Sequence, residues 1–434
     1  MGWWGRLFGG TPAAVPRAMP AAQAPAASAA AAHPSAVPAS FGVRRPLVGA
    51  GGAVAGFELL WPPALARRLE PAGNPVALAA HHAALLTAAR PIAGGGRLAL
   101  LHMPAAMLAH GSVAAATIKG CLLHIGDLRM LPSADAALLR GRGAMLGVSD
   151  GPPAAAPPTD FVCLRAIDGD TETLLLSAQR WQEARTGVRL VSIGPARLDQ
   201  VERLLGAGFW LVGGDLARSA VPSRSAPLGA AAHRICELLN HLALDHELSV
   251  LAGAVRADVA LSLKLLRYAN SPAIGLTRGV ESVDQAVMVL GRAELRRWLS
   301  VALLAAAESR PALRALQEAA LARGRLLETL ARDQGDSDAG SHFTLGLLSL
   351  IEPLLQRPLA QALEPFRLGE ATRQALLEQK GPLAPRLALL TAIDAGDADE
   401  ALHLAGSWGQ AEALPAATEA AWAWAEEVTR LAVR

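Results

Sequence analysis

The arrangement of apolar residues changes along this chain, and that change constrains the fold more than any other feature. Short apolar runs alternate with polar segments in the first half; they lie at 98–101, 122–125, 145–148, 161–164, 190–193 and 209–212. Strands that are buried on both faces give runs of this kind, which predicts a parallel α/β sheet or barrel. After residue 229 the strand signals stop and apolar residues recur at helical spacing, which predicts an all-α region.

Two segments of low complexity divide the chain. Residues 11–40 are almost all Ala, Pro and Ser, a composition that predicts a disordered tail over 1–40. A shorter Pro- and Ser-rich segment at 219–229 is typical of a linker. We therefore expect an α/β barrel at 41–218 and an all-α domain with a C-terminal helical extension at 230–434.

The composition excludes several classes of partner. Basic and acidic residues nearly balance, 40 against 38, whereas nucleic-acid binding needs a concentrated basic face. Cys121, Cys163 and Cys236 form no CxxC pair, so the sequence predicts neither a zinc knuckle nor a disulfide scaffold. No apolar run approaches the ~18 residues of a membrane span. We expect a cytoplasmic protein that has no nucleic-acid partner and no stable membrane insertion.

The helical half carries capping signals at definite positions. Asp258 precedes an apolar helical pattern and is a suitable N-cap. Ser282 followed by Gln285 is a capping-box pattern, and Gly291 predicts the end of that helix. Asn270 precedes Ser-Pro, a combination that favours a turn at the end of the first helix.

These positions belong to a longer pattern, ADVALSLKLLRYANSPAIGL followed by VESVDQAVMVLG. The pattern resembles the HDOD domain, and the resemblance covers roughly residues 225–400. It implies an all-helical module that acts as an output or scaffold by binding other proteins. The positions that carry the resemblance, and that are candidates for an interaction surface, are Asp258, Leu265, Leu266, Asn270, Ser271, Ser282, Ala286, Leu290 and Gly291.

The first half carries a weaker pattern. The motif FELL places Glu58 at the end of an early predicted strand, and AGFWLVGGDLARS contains the last one. Together with the order of the apolar runs, these motifs resemble a degenerate EAL domain. The resemblance implies a (β/α)8-like barrel of a family that hydrolyses cyclic di-GMP with divalent metals, and Glu58 stands where the family's metal-binding Glu belongs.

Hard cations need several oxygen ligands. At several positions where the family supplies residues of its metal site, this sequence has other residue types. The residues that stand where the family has polar site residues are His102, His124, Cys163 or Leu164, Ile193 or Gly194, and Gly213. Of the family's paired Asp motif only Asp150 remains. We therefore expect no metal, no cofactor and no phosphodiesterase activity, with Glu58, Asp127 and Asp150 as vestigial metal candidates.

The sequence thus predicts a non-catalytic bacterial signalling protein whose partners are other signalling proteins. In this interpretation the HDOD-like half is the output module, and the EAL-like barrel is used for sensing or contacts. Two alternatives remain open. One is a receptor that binds cyclic di-GMP without hydrolysis, with Arg165, Arg197 and Arg218 as candidate contacts; the other is an active phosphodiesterase. The sequence indicates neither the partner proteins nor the oligomeric state.

Overall fold

The structure is a computed structural model, and it describes residues 43–60, 75–108, 110–165, 170–218, 229–271, 274, 276, 279–306, 312–336 and 338–433. The predicted tail at 1–40 lies outside these residues, as does nearly all of the predicted linker at 219–229. Within the described part, no helix combines the length and the apolar character that a membrane crossing requires.

A closed barrel of eight strands forms the N-terminal part and confirms the predicted α/β barrel. In chain order, which is also the order around the barrel, the strands are β1 (Val43–Gly49), β2 (Val54–Leu60), β3 (Leu98–His102), β4 (Cys121–His124), β5 (Met145–Ser149), β6 (Phe161–Arg165), β7 (Arg189–Ala196) and β8 (Leu211–Gly214). The six predicted apolar runs overlap β3 to β8. Strands β2 to β8 are parallel.

Strand β1 runs antiparallel to both of its neighbours, β2 and β8. A tight turn joins it to β2, and Gly52 in that turn has φ 74°, a conformation that L side chains rarely adopt. As a result, the first residues of β1 lie at the same end of the barrel as the last residues of β2 to β8. We call this end the mouth. Arg45 there pairs in register with Glu58.

The barrel interior below the mouth is filled by apolar side chains. They are Leu47, Leu100, Leu122, Phe161, Cys163, Val191, Ile193 and Leu211. Phe161 packs against the backbone of Gly147 so closely that a Cβ there would lie 2.1 Å from the ring. The interior is therefore a packed core, as is usual for barrels of this size, and polar chemistry is confined to the mouth.

Six helices accompany the barrel strands in the described part of the chain. They are α1 (Pro75–Gly94), α2 (Ala105–Leu108), α3 (Gly111–Ala116), α4 (Ser133–Gly141), α5 (Thr171–Ala184) and α6 (Leu198–Gly206). The side chain of Asp170 caps α5 by accepting from the backbone N–H groups of Glu172 and Thr173. The buried face of α5 includes Trp181, which is 1% exposed.

The rest of the described chain is helical, which confirms the predicted all-α region. Its helices are α7 (Ala230–Ala243), α8 (Leu248–Arg256), α9 (Val259–Ala269), α10 (Val283–Ala306), α11 (Leu313–Asp333), α12 (Ala339–Leu348), α13 (Ile351–Leu355), α14 (Leu359–Leu363), α15 (Glu370–Glu378), α16 (Ala384–Ala395), α17 (Ala398–Ser407) and α18 (Leu414–Val433). Helices α7 to α10 enclose a hydrophobic core of their own. The later helices share one continuous apolar cluster with the barrel.

The contact between the hairpin β1–β2 and helices α11 and α18 joins the two halves, and we call it the seam. Trp422 of α18 packs edge-on against Phe57 of β2, with ring centroids 4.9 Å apart. An ion pair links Arg44 of β1 to Glu419 of α18. The helices at the end of the chain thus cover the hairpin at the start of the barrel.

Candidate functional site

Polar side chains at the mouth form one continuous string of hydrogen bonds. Arg45 Nη1 donates to Glu58 Oε2 at 2.9 Å, and His102 Nε2 lies 2.8 Å from Glu58 Oε1. The Nδ1 atoms of His102 and His124 are 2.7 Å apart. His124 Nε2 lies 2.9 Å from the Oγ of Ser149, which is exposed. These five residues come from β1 to β5, one from each strand, and we call them the mouth chain.

Strand geometry explains why the mouth chain forms. His102 and His124 are register partners on the parallel strands β3 and β4, and each occupies the last position of its strand. Side chains alternate between the two faces of a strand. Because Leu100 and Leu122 are in the barrel core, the histidines two residues further along also face the inside, at the mouth.

Glu58 fixes the positions of the protons along the mouth chain. Burial alone would raise the pKa of Glu58, but the hydrogen bond from His102 and the charge of Arg45 outweigh it and hold this pKa below its ordinary value. The ionised carboxylate only accepts hydrogen bonds, so His102 donates from Nε2. A His102 ring that donates from Nε2 can accept at Nδ1 from His124 Nδ1–H, and His124 Nε2 then accepts from the hydroxyl of Ser149.

The electrostatics of His124 limit the chemistry of this arrangement. Burial, followed by the neighbouring charges of His102 and Arg165, lowers the pKa of His124 to about 3. A general base works best when its pKa is close to the working pH, so His124 is too weak a base to take a proton from a hydroxyl near neutral pH. The thiol of Cys163 is also unreactive, because burial raises its pKa and the charge of Glu58 raises it further. The mouth chain is therefore suited to hold groups in place rather than to activate Ser149.

The other two predicted carboxylates are engaged by partners of their own. Asp127 pairs with Arg129, with its Oδ1 3.0 Å from Nε and its Oδ2 3.0 Å from Nη2. Asp150 accepts from the indole N–H of Trp181 at 2.8 Å and lies 3.8 Å from Arg180. The only carboxylate in the mouth chain is that of Glu58.

These side chains do not fit a pair of divalent metal ions. Both oxygens of Glu58 are already bonded, one to Arg45 and one to His102. Across the residues that the structure describes, no three His, Cys, Asp or Glu side chains converge as metal ligands would. A metal pair needs several free oxygen ligands at one point, whereas here a guanidinium and an imidazole already neutralise the carboxylate.

Sequence reasoning did not assign a role to Arg45 or Ser149. Strand alternation was the signal that could have found them, because each lies two residues from an inward-facing position, Leu47 and Gly147 respectively. That signal also places Arg165, two residues after Cys163, at the mouth, where it is exposed. Of the other predicted arginines, Arg197 directly precedes α6 and lies 3.8 Å from Asp199. The side chain of Arg218 lies outside the described part.

The signals predicted at the ends of α9 are confirmed in the helical half. Asp258 caps α9 by accepting from the N–H of Leu261 at 3.0 Å. Asn270 donates from Nδ2 to the carbonyls of Leu266 and Val280, at 3.0 and 2.8 Å, and accepts from the N–H of Val280 at 2.8 Å. The amide of Asn270 thus ties the end of α9 to the segment that precedes α10.

Ser282 caps α10 as predicted, and the Gln285 side chain reaches back to the residue before Ser282. Ser282 Oγ accepts from the N–H of Gln285 at 3.2 Å, and the Gln285 side chain accepts from the N–H of Glu281 at 3.0 Å. Gly291 interrupts α10 with φ 67° and ψ 178°, and helical geometry resumes directly after it. Most of the remaining pattern residues face inward; Leu265, Ser271 and Ala286 are buried, and Leu266 and Leu290 are half-buried.

Comparison with known proteins gives this helical half a family. Residues 226–371 match the sequence model of the HDOD domain. The chain contains an HDOD domain. Its matched segment runs from the residues just before α7 into α15 and includes α11, which docks on the barrel. Helices α16 to α18 follow the HDOD domain in sequence and lie outside the match.

Two curated proteins are similar to parts of the chain. The uncharacterized protein YuxH of Bacillus subtilis is 27% identical over 187 residues, which are 42% of this chain and 46% of that protein. The cyclic di-GMP phosphodiesterase CdgJ of Vibrio cholerae is 28% identical over 144 residues, which are 33% of each. The chain therefore matches less than half the length of either relative.

Solved structures with similarity to the chain include EAL domains. The manganese and cyclic di-GMP complex of BlrP1 from Klebsiella pneumoniae is 17% identical with a TM-score of 0.34, covering 44% of this chain and 57% of that one. The FimX EAL domain from Pseudomonas aeruginosa, bound to cyclic di-GMP, is 15% identical with a TM-score of 0.29, covering 41% of this chain and 88% of that one.

Proposed function

We propose that this chain is a non-catalytic regulator in cyclic di-GMP signalling. In this proposal the HDOD domain is the output module, which binds other signalling proteins, and the barrel is a module for sensing or contacts. The sequence resemblance of the barrel to EAL domains and the partial similarity to a cyclic di-GMP phosphodiesterase support the signalling context. A fold does not by itself determine an activity, so the proposal depends on the chemistry of the mouth.

The observation that carries the proposal is the internal neutralisation of Glu58. Its carboxylate is 0% exposed, and its two oxygens accept from Arg45 and His102. To ligate a metal, Glu58 would have to give up these partners and leave the charge of Arg45 uncompensated next to a second cation. Asp127 and Asp150, the other two predicted metal candidates, are bonded to partners of their own.

A hydrolysis assay tests the absence of catalysis. The purified chain is incubated with cyclic di-GMP and Mg²⁺ or Mn²⁺, and the dinucleotide is followed by chromatography beside a Glu58→Ala variant. We expect both proteins to leave the dinucleotide intact. Turnover by the native chain that disappears in Glu58→Ala would show an active phosphodiesterase and overturn the proposal.

An exposed apolar pair on the HDOD domain supports its role in protein contacts. Val259 and Leu263 lie one turn apart on α9 and are 73% and 59% exposed. Partners captured from a bacterial lysate by the native chain are compared with those of Leu263→Arg. The matched control is Leu176→Arg, at a side chain of the barrel helix α5 that is 63% exposed. We expect loss of specific partners in the first variant only, and equal losses in both would contradict the assignment.

A receptor that binds cyclic di-GMP without hydrolysis is a second candidate, and Arg165 favours it. This arginine is exposed at the mouth, close enough to His124 to lower the pKa of the imidazole, and a guanidinium suits phosphate recognition. Titration calorimetry without metal should then detect binding that weakens roughly tenfold in Arg165→Ala. Arg373→Ala, at an exposed arginine of α15 in the helical half, is the control. Absence of heat at high micromolar dinucleotide would remove this candidate.

A further inference from the structure

The seam contains an arginine that two carboxylates share. Arg97, which directly precedes β3, donates to Glu318 of α11, and its Nε lies 3.0 Å from Glu426 Oε2 of α18. The side chains of Arg97 and Glu318 are only 10% and 4% exposed. One guanidinium group on the barrel side thus faces two carboxyl groups on the helix side, and one of these, Glu318, is almost fully buried.

Two backbone contacts hold Glu318 against the hairpin β1–β2. The backbone amide of Val54 in β2 lies beside the carboxylate of Glu318 and lowers its pKa. One turn earlier on α11, the N–H of Ala315 donates to the carbonyl of Gly52 at 3.0 Å. The amides of a first helical turn have no acceptor within their own helix. The carbonyl of Gly52, in the turn of the hairpin, supplies that acceptor for α11. The Ala315 amide therefore reports directly on whether the seam is closed.

We propose that the seam is a proton-controlled contact, in which Glu318 holds a proton while the barrel and the HDOD domain are docked and releases it when they separate. This inference is independent of the mouth chain and goes beyond the proposed function. Arg97 can neutralise only one of the two carboxylates that it contacts. Glu426 is the more exposed of them, at 38%, so the buried Glu318 is the one that gains from a proton.

The groups around Glu318 account for its affinity for a proton. Burial, together with the like charge of Glu426, raises the pKa of Glu318 to about 7, against the opposing charge and hydrogen bond of Arg97 and the amide of Val54. These contributions come from all the elements that meet at this point, namely the segment before β3, the hairpin and α18.

The direction of the pH effect follows from linkage. An acid whose pKa is raised in the docked state binds its proton more tightly there than after separation, so docking takes up a proton. The seam is then strongest in acid, and it weakens as the pH rises from the ordinary range of a glutamate towards 7. Between pH 5.5 and 7.5 the equilibrium constant for opening should rise roughly twentyfold.

Hydrogen–deuterium exchange tests the proposal on the full chain. Exchange of the Ala315 amide is followed in peptides that cover the first turn of α11, at several pH values and after correction for intrinsic chemical exchange. The native chain should show the rise in opening with pH. Glu318→Gln keeps an acceptor for Arg97 but cannot ionise, so its opening should no longer depend on pH.

Two further variants sharpen the result. Glu426→Gln removes the like charge, so the pH midpoint of opening should move lower. Glu419→Gln breaks the neighbouring ion pair with Arg44 but leaves Glu318 and its partners in place, and the midpoint should stay where it is. If circular dichroism shows that Glu318→Gln is unfolded, the shift in Glu426→Gln decides the question. An unchanged pH profile in Glu318→Gln, or an unchanged midpoint in Glu426→Gln, would overturn the proposal.

Discussion

His102 and His124 face each other through their Nδ1 atoms, 2.7 Å apart, on neighbouring parallel strands. Two acceptor nitrogens at that distance would repel each other, so one of the rings donates. Because the Nε2 of His102 donates to Glu58, its Nδ1 is the acceptor and His124 is the donor, so Glu58 sets the direction of the hydrogen bonds along the mouth chain. The pair therefore links the buried carboxylate of Glu58 to the exposed hydroxyl of Ser149.

We expect Glu58→Gln to lower the free energy of unfolding by about 2–4 kcal/mol, because Arg45 would lose its counter-charge in a mostly buried place. Urea titration measures the change. The pKa of Glu58 is lowered in the folded state. Its ionised carboxylate therefore stabilises the fold at pH values above the ordinary pKa of a glutamate, and this stabilisation is lost on acidification.

Asp127→Asn is the control for this prediction, since Asp127 has an exposed partner and no buried cation depends on it. It should change stability much less than Glu58→Gln does. Equal losses in the two variants would show that burial of the Glu58 ion pair contributes nothing.

We expect the ring of His124 to remain neutral from pH 8 down to pH 5, because burial and the charges nearby lower its pKa to about 3. Nitrogen chemical shifts of the ring, recorded by NMR against free histidine in the same buffer, measure this. An imidazole that resists protonation only in the folded state destabilises the fold as the pH falls below about 6.5. Titration of the His124 ring near pH 6 would show that the ring is not buried beside these charges as the structure places it.

We expect Gly147→Ala to destabilise the barrel by about 1–3 kcal/mol through overpacking, since the new methyl group would overlap the ring of Phe161. Gly151→Ala is the control, because nothing lies within 4 Å of a Cβ at that position. The double variant Gly147→Ala, Phe161→Leu should recover part of the loss in thermal unfolding. Additive losses would mean that the two residues do not meet.

We expect Phe57 and Trp422 to be energetically coupled across the seam by about 0.5–1.5 kcal/mol, the usual value for an edge-on aromatic pair. A double-mutant cycle with leucine at each position measures this coupling in urea unfolding. The pair Phe343 and Trp424, with centroids 6.1 Å apart and both on the helical side, gives the reference cycle. No coupling between Phe57 and Trp422 would mean that α18 does not dock as described.

Local signals in the sequence predicted the elements well. The apolar runs located β3 to β8, and Asp258 and the Ser282–Gln285 pattern located the starts of α9 and α10, because a strand's burial and a helix's cap depend on nearby residues. The seam was not predicted. Arg44 and Glu419 are 375 positions apart, and no local pattern pairs residues over such a distance. The mouth chain was only partly predicted, since it depends on register across five strands.

Because α11 and α18 cover the hairpin β1–β2, the boundary between the two halves in the sequence is not a boundary between two independent structural units. The Pro-rich segment at 219–229 marks a boundary in the sequence, yet the apolar cluster continues across that boundary. A fragment cut there would leave Phe57 and its neighbours exposed to water, with a hydrophobic surface that favours aggregation. The two halves are therefore not interchangeable parts, and any exchange of one half for a homologue's would have to carry a matching last helix with it.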